Sequence, residues 1–506
     1  TMLFVVVLSI VVYVISVGEV HEGYASSQRM RLSGDTRLFS QQGVLFSRLM
    51  EVAARFPERK VFGSNYHMHQ AQVLGFSPYE YFRSRLQNAS NTFVDRAQSL
   101  FRMSIGFPSL VEDWSREDRV VQQWHEKRHV YLYLNQSLWS LYQGFGRHLS
   151  NAAHMSVEQL DTLERHDDHY HYGGETFQSF RFIVDNGIDS VFDAMWEMSF
   201  KFDGNFKTQV DESEKVLIIL MGATVATTLV LGLALYLPAF RRISERRRNS
   251  LHLFTAVPKS TAAAIHLQLS TNNISLLGRQ KKRMDDAMEM QLEGTRSRRP
   301  ALSRLTIIFV VCLVIVMMLV LSIAIAAITV MSEFRGRGQQ INYALGRRGE
   351  SYRLMACVQE AVENLYRQGL GDGERPFLVD RALRIASRLE EMHEGVKYGR
   401  PDWGLPGTVG TSPEQDALLF DAACSDVSLK ECQSLDEVLN GFVQDAREVS
   451  RAALRGEISG SSSAYLDLLD VGESILGPKI IQSGTLVVSS ADDLLDSIDL
   501  IVTVLF

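Results

Sequence analysis

Two patterns alternate along the chain: long runs without any charge, and long segments in which apolar residues recur every three to four positions. Residues 216–240 contain no Asp, Glu, Lys, Arg or His, and neither do residues 306–331. A helix needs about 20 apolar residues to cross a ~30 Å hydrocarbon core, and a soluble helix would keep a polar stripe. Both runs therefore read as transmembrane helices. Residues 1–17 supply a shorter span, and 498–506 begin another just after Asp492, Asp493, Asp496 and Asp499. Between the runs the periodicity is helical, over 18–56, 77–110, 114–155 and 174–215, then over 332–370, 375–396, 434–456 and 462–497. No strand alternation stands out. The expected fold is an all-α membrane protein of two tandem span–ectodomain–span units. Each ectodomain (18–215 and 332–497) is expected to be an antiparallel four-helix bundle whose first and last helices continue into the spans.

Charge sets the orientation. The chain carries a net −7, yet residues 241–305 hold 14 Lys and Arg against 5 Asp and Glu, a net of +9. The remainder then carries about −16. Arg241, Arg242, Arg246, Arg247 and Arg248 directly follow the second span, so by the positive-inside rule 241–305 is the cytoplasmic loop and both acidic segments lie outside. These arginines are expected to face anionic lipid, each adding ~1 kcal/mol near the surface. Topology setting alone is the equal alternative. Such a tethered loop does not suit nucleic acid. Position 1 is a Thr without a basic flank, and an apolar run stops at position 506, so the chain is expected to be an internal piece of a longer polytopic protein. Tyr24-Ala and Tyr343-Ala, each followed closely by Arg, suggest a duplicated module.

An oxidising outside bears on the cysteines and sequons. Of Cys312, Cys357, Cys424 and Cys432, the last three fall in the second outer segment; Cys424 with Cys432 is the preferred disulfide, and Cys357 with either is the rival. Asn88 and Asn135 head sequons in the first outer segment and are expected to be glycosylated, whereas Asn273 falls in the inner loop.

Candidate chemistry is sparse. His125-Glu126-Lys127-Arg128-His129 has the spacing of a zinc-protease helix, but Lys127 and Arg128 would put two cations beside a dication, and a solvated helix face is the plainer reading. Ten of the 13 histidines lie in the first outer segment. His166, Asp168, His169 and His171 (with Asp167 between them) could ligate a transition metal, or the histidines could make the segment pH-sensitive; a polar loop is the plainer alternative. No cofactor is implied, and no nucleotide-binding or hydrolase motif is present, so an enzyme is not expected within this chain. The spans carry no ionisable group of the kind ion pathways use. Gly222-x-x-x-Ala226 and Ser322-x-x-x-Ala326 permit close helix packing, so homo- or hetero-oligomers through the spans or ectodomains are expected.

Three stretches carry a family resemblance: "RRRNSLHLFTAVPKSTAAAIHLQLS" after the second span, "INYALGRRGESY" after the third, and "LLFDAACSDVSLKECQSLDEVLNGF". They resemble the tiny macrocysts protein B-like family of protist polytopic membrane proteins. The Arg- and Ser-containing turns beyond the membrane are similar to the start of nitrate-sensor-like and pilus-chemoreceptor-like helical sensor domains. The resemblance covers most of 216–506 and implies architecture rather than activity. The resulting expectation is a sensory or signalling receptor in the plasma membrane or a ciliary membrane. Its alternatives are a structural subunit docking an extracellular assembly and an accessory part of a channel or transporter.

Overall fold

The computed structural model describes residues 2–57, 70–125, 130–161, 174–255, 299–363, 374–421 and 431–505, with 258, 260, 261, 263 and 264. It is helical almost throughout. The chain divides into two compact units, one of residues 1–17, 212–329 and 501–506, the other of 18–211 and 330–500.

Among the described residues, the smaller unit draws mainly on parts of four long helices: α1 (Met2–Arg55), α7 (Phe192–Thr255), α8 (Arg299–Glu363) and α13 (Gly477–Leu505). Large apolar side chains here face outward. Ile219 is 69 % exposed and Met318 64 %, and Val230, Val311, Val314, Ile315 and Ile325 are exposed as well. Among the described residues, no helix is long and apolar enough to cross a membrane.

The larger unit contains most of both segments expected to be ectodomains. Its first half contains the later part of α1, then α2 (Pro78–Ser104), α3 (Pro108–Ser115), strands β1 (Arg119–His125) and β2 (Val130–Gln136), α4 (Leu138–Ala153), the short α5 (Val157–Asp161), α6 (Gly174–Asn186), a π-helical turn over Gly187–Val191, and the start of α7. The second half contains the later part of α8, then α9 (Glu374–Tyr398), a small hairpin of β3 (Gly399–Arg400) and β4 (Leu405–Pro406), α10 (Pro413–Phe420), α11 (Leu435–Leu454), α12 (Ser463–Val471), a π-helical turn over Gly472–Leu476, and α13.

Local sequence explains these boundaries. Ser77 caps α2 and Ser434 caps α11, each reciprocated by a glutamate three residues on (Glu80, Glu437), and Pro78 pre-sets the first turn of α2. A cap of this kind contributes about 1 kcal/mol. Helix α11 buries Leu435, Val438, Leu439, Phe442, Val443, Ala446 and Val449, the three-four spacing of one helix face. Phe145 and Phe93 meet edge to face at 5.4 Å in the first half, both fully buried, each stabilising by roughly 1.5–3 kcal/mol.

The hairpin β1–β2 replaces part of the helix expected over 114–155. Its register runs from Arg119 opposite Gln136 to His125 opposite Val130. The residues Val120, Val121, Trp124, Tyr131, Leu132 and Tyr133 are β-branched, aromatic or aliphatic and favour a pleated surface. Val121 is buried while Val120 and Tyr133 are exposed, so the alternation is present but short. Asn186 completes the edge: its Oδ1 accepts from the Gln122 amide at 2.8 Å, and its Nδ2 donates to the Gln122 carbonyl at 2.7 Å. His125 therefore ends a strand, and the helical placement that a His-x-x-x-His zinc site needs does not hold there; residues 126–129 lie outside the described residues.

The two halves repeat one design. In each, a π turn opening on a glycine joins the last two helices, α6 to α7 and α12 to α13. A Cβ at Gly187 would overlap Val44 of α1 and crowd Phe145 of α4; a Cβ at Gly472 would overlap Met355 of α8 and Phe442 of α11. The partners thus correspond, α1 and α4 in the first half to α8 and α11 in the second. The suggested pair Tyr24 and Tyr343 does not: Tyr24 donates to Asp496, whereas Tyr343 stacks on Trp403.

Candidate functional site: the polar and aromatic seam between the halves

The first helix of each half carries charge into the interior. Arg37, Gln41, Arg48 and Glu51 of α1 are buried, as are Asn342, Arg347, Glu350, Arg353, Gln359 and Glu360 of α8. Buried charges persist only when paired and hydrogen-bonded. Arg48 reaches Glu51 Oε2 at 2.7 Å and grips both carboxylate oxygens of Glu360 across the seam. The π turns exchange acids for arginines of the opposite half. Asp189 accepts from Arg353 Nη2 at 2.8 Å and from Arg381 Nε at 3.0 Å. Glu473 pairs with Arg85. Arg85 and Arg381 each stand seven residues beyond the first residue of their helices, α2 and α9. Burial works to raise the Asp189 carboxyl, but Arg381 and Arg353 outweigh it and hold it below the usual carboxylate range.

Arg37 differs from its neighbours. Its Nη2 donates to the Asn342 carbonyl at 3.2 Å and also to Asn342 Oδ1, while its buried Nε and Nη1 have no hydrogen-bond partner among the described residues. Burial lowers its pKa to about 9, with Glu350 opposing. Its guanidinium lies 4.1 Å from the Trp196 ring, and Arg388 lies 5.1 Å from the same ring. Trp196 meets Tyr343 edge-on at 5.3 Å, and Tyr343 stacks on Trp403 at 4.8 Å with 8° between the planes. Arg400 covers Trp403 at 4.0 Å. The left-handed Gly404 (φ 60°) ends the turn that presents Trp403. Beside this stack opens a cavity of about 650 Å³ lined by Tyr343, Leu383, Arg384, Ser387, Arg388, Glu391, Met392 and Trp403.

A second polar chain runs through the second half. His393, fully buried, donates from Nε2 to Asp436 Oδ1 at 3.1 Å, and its Nδ1 accepts from Arg347 Nη1 at 2.9 Å. Arg347 Nη2 donates to Ser483 Oγ at 2.7 Å, and burial lowers the Arg347 pKa to about 9. Burial pushes His393 down to about 4, against the pull of Asp436. In the first half His148 contacts Ser179 Oγ at 3.0 Å, and burial holds it at about 4. Both imidazoles are thus neutral at pH 7, and neither serves as a near-neutral proton sensor. Unfolded, they protonate near pH 6.5, so between about 6.5 and 4 the unfolded chain binds more protons. Stability is full above that window and falls as pH drops through it, by up to about 3 kcal/mol per histidine. Urea midpoints at pH 7 and pH 5 should show the drop, and His148→Gln should flatten it; an unchanged slope would remove His148 from this account.

The residues singled out from sequence do not gather at the seam. Asn88 is exposed on α2 and Asn135 on β2, while Ser90 of the first sequon is buried and donates to the Gly146 carbonyl at 3.3 Å. Arg242 and Arg246 are exposed on α7; the side chains of Arg241, Arg247 and Arg248 lie outside the described residues. So do His166, Asp168, His169, His171 and Cys424, and among the described residues no cluster could hold a metal ion. Cys432 is disulfide-bonded. Cys357 is a free, buried thiol pushed up to about 12 by burial, so it is not the partner of Cys432. Its burial also makes it unreactive. The seam residues carried one sequence signal, the charges at core-facing spacing along 340–360, which reads equally as a solvated helix face. No protein-family model, curated protein or solved structure matches the chain.

Proposed function

We propose that the chain is the sensing portion of a multi-pass membrane receptor, with the larger unit outside and residues 241–305 inside. One observation carries this reading. Helices α7 and α8, which bring Trp196 and Tyr343 together in the seam, also contain the uncharged runs 216–240 and 306–331, in which Ile219, Val230, Val314 and Met318 are exposed. Outward apolar surface on this scale marks contact with lipid or with another chain. A shift between Trp196 and Tyr343 would then act directly on helices that enter the bilayer. The architectural resemblance to the tiny macrocysts protein B-like family, glycans at Asn88 and Asn135, a Cys424–Cys432 disulfide, helix-mediated oligomers and lipid contacts at Arg242 and Arg246 belong to the same proposal.

Protease treatment of sealed vesicles tests the membrane arrangement. Cleavage within 241–305 is expected from one face, and within 18–211 and 332–497 from the other. Cleavage of all three from the same face would remove the reading. A second reading, a structural subunit that docks an extracellular or ciliary assembly, is favoured by exposed Val73 (68 %), Leu74 and Phe76 at one turn of the larger unit. Replacing Val73 and Phe76 by Ser should abolish pull-down of that assembly if this reading holds, and leave it unchanged otherwise.

A further inference from the structure

We propose that the cavity beside Trp403 binds a small organic carboxylate with a flat apolar body, an inference that rests on the receptor reading and names its ligand class. At about 650 Å³ the cavity falls in the range of small-molecule sites. Its walls divide by chemistry. Tyr343, Trp403, Leu383 and Met392 provide apolar surface; Arg384, Arg388, Ser387 and Glu391 provide the polar side.

Charge selects the sign of the occupant. Glu391 is already engaged, accepting from Arg400 Nη1 at 3.0 Å. Arg384 pairs with Asp380, four residues earlier on the exposed face of α9. Arg388 forms an ion pair with Glu350, Nε lying 3.1 Å from Oε1. That carboxylate is shared, for Arg353 Nη1 also approaches Glu350 Oε2 at 3.5 Å, and Glu350 is the main anion acting on buried Arg37. Among the described residues Arg37 has no ion-pair partner of its own. Arg353 has Asp189 as its closer partner, so Arg37 and Arg388 are left to share Glu350, and Arg388 is the one that lines the cavity. The lining itself holds two guanidiniums, Arg384 and Arg388, against one carboxylate, Glu391, a balance that favours an anion over an amine. A guanidinium edge suits a carboxylate, and the stacked Tyr343 and Trp403 suit a flat apolar body.

The position of the cavity links binding to the helices. Tyr343 is at once a wall of the cavity and the ring on which Trp196 packs. An occupant that moves Tyr343 or recruits Arg388 from Trp196 changes the contact between α7 and α8.

The full chain in lipid nanodiscs, titrated with sodium benzoate, tests the inference by tryptophan emission and by the unfolding midpoint. Benzamide and benzylamine, of the same shape but neutral or cationic, are the comparators. Benzoate is expected to raise the midpoint and change the emission at concentrations at least about tenfold below either comparator. Leu383→Trp fills the cavity from an apolar wall and should abolish the benzoate response; Arg388→Gln should weaken it at least about tenfold while sparing any benzamide response. Equal responses to benzoate and benzamide, no response to benzoate, or a full response in Leu383→Trp would each overturn the inference. The outcomes also separate it from the receptor reading. Benzoate binding without altered protease cleavage of 241–305 would uphold the ligand class and count against signalling. Absence of binding would remove the ligand class and leave the receptor reading to its vesicle test.

Discussion

Arg48→Ala is expected to destabilise the larger unit by about 3–5 kcal/mol. Arg48 is 2 % exposed and serves two buried carboxylates, Glu51 and Glu360. Glu51 keeps a second cation, Arg55 Nη2 at 2.8 Å, so it survives the substitution. Glu360 loses the guanidinium that held both its oxygens and remains buried. The cost comes from stranding that charge rather than from the worth of the pair, because forming the pair required desolvating both ions. The double substitution Arg48→Met with Glu360→Leu should therefore cost far less than either single change, or stabilise by about 1–4 kcal/mol. Urea unfolding of the two single variants and the double variant gives the coupling. A loss below about 1 kcal/mol for Arg48→Ala would mean that the seam is open to solvent.

The second large effect concerns the π turns. Ala forms helix more readily than Gly by about 1 kcal/mol, so a helical Gly→Ala change ordinarily stabilises. Gly204 of α7 has open space around its missing Cβ, and Gly204→Ala is expected to gain up to about 1 kcal/mol. At Gly187 and Gly472 the sign reverses. The added methyl meets Val44 and Phe145, or Met355 and Phe442, all of them core side chains with little room to withdraw. Overpacking of this kind costs about 1–3 kcal/mol. Both substitutions should also disturb the acid beside the glycine, Asp189 or Glu473, and so loosen the pairs with Arg381 and Arg85. Similar losses at both sites, read from unfolding midpoints, are expected if the halves are copies of one design. A loss at one site only would indicate that the likeness of the two π turns is local.

Most helices were legible because each buries one stripe. The Leu435–Leu454 face and the caps at Ser77 and Ser434 are local patterns, and a single chain segment displays them fully. The hairpin was less legible: seven residues per strand with one buried alternation lie close to an amphipathic helix pattern. What settles that segment is Asn186, far along the chain, which pairs with the backbone of Gln122. The seam was not legible either. Arg37, Arg48, Glu350 and Arg353 look like surface charge until their partners Asn342, Glu360, Arg388 and Asp189 are seen to come from the other half or another helix. Tyr343, which attracted attention as a repeat marker, instead joins Trp196 to Trp403.

The sequence by itself determined the helical class, the positions of most helices and their caps, and the separation of two uncharged runs from two charged segments, because periodicity, capping and hydropathy are properties of neighbouring residues. Only the tertiary structure decided that 18–211 and 330–500 form one unit, that their arginines and acids are buried pairs, and that a cavity opens between Trp403 and α9. Those features depend on which distant residue neutralises a charge. Burial of Arg48 is tolerable only beside Glu360, 312 positions away, and no local pattern encodes that partnership.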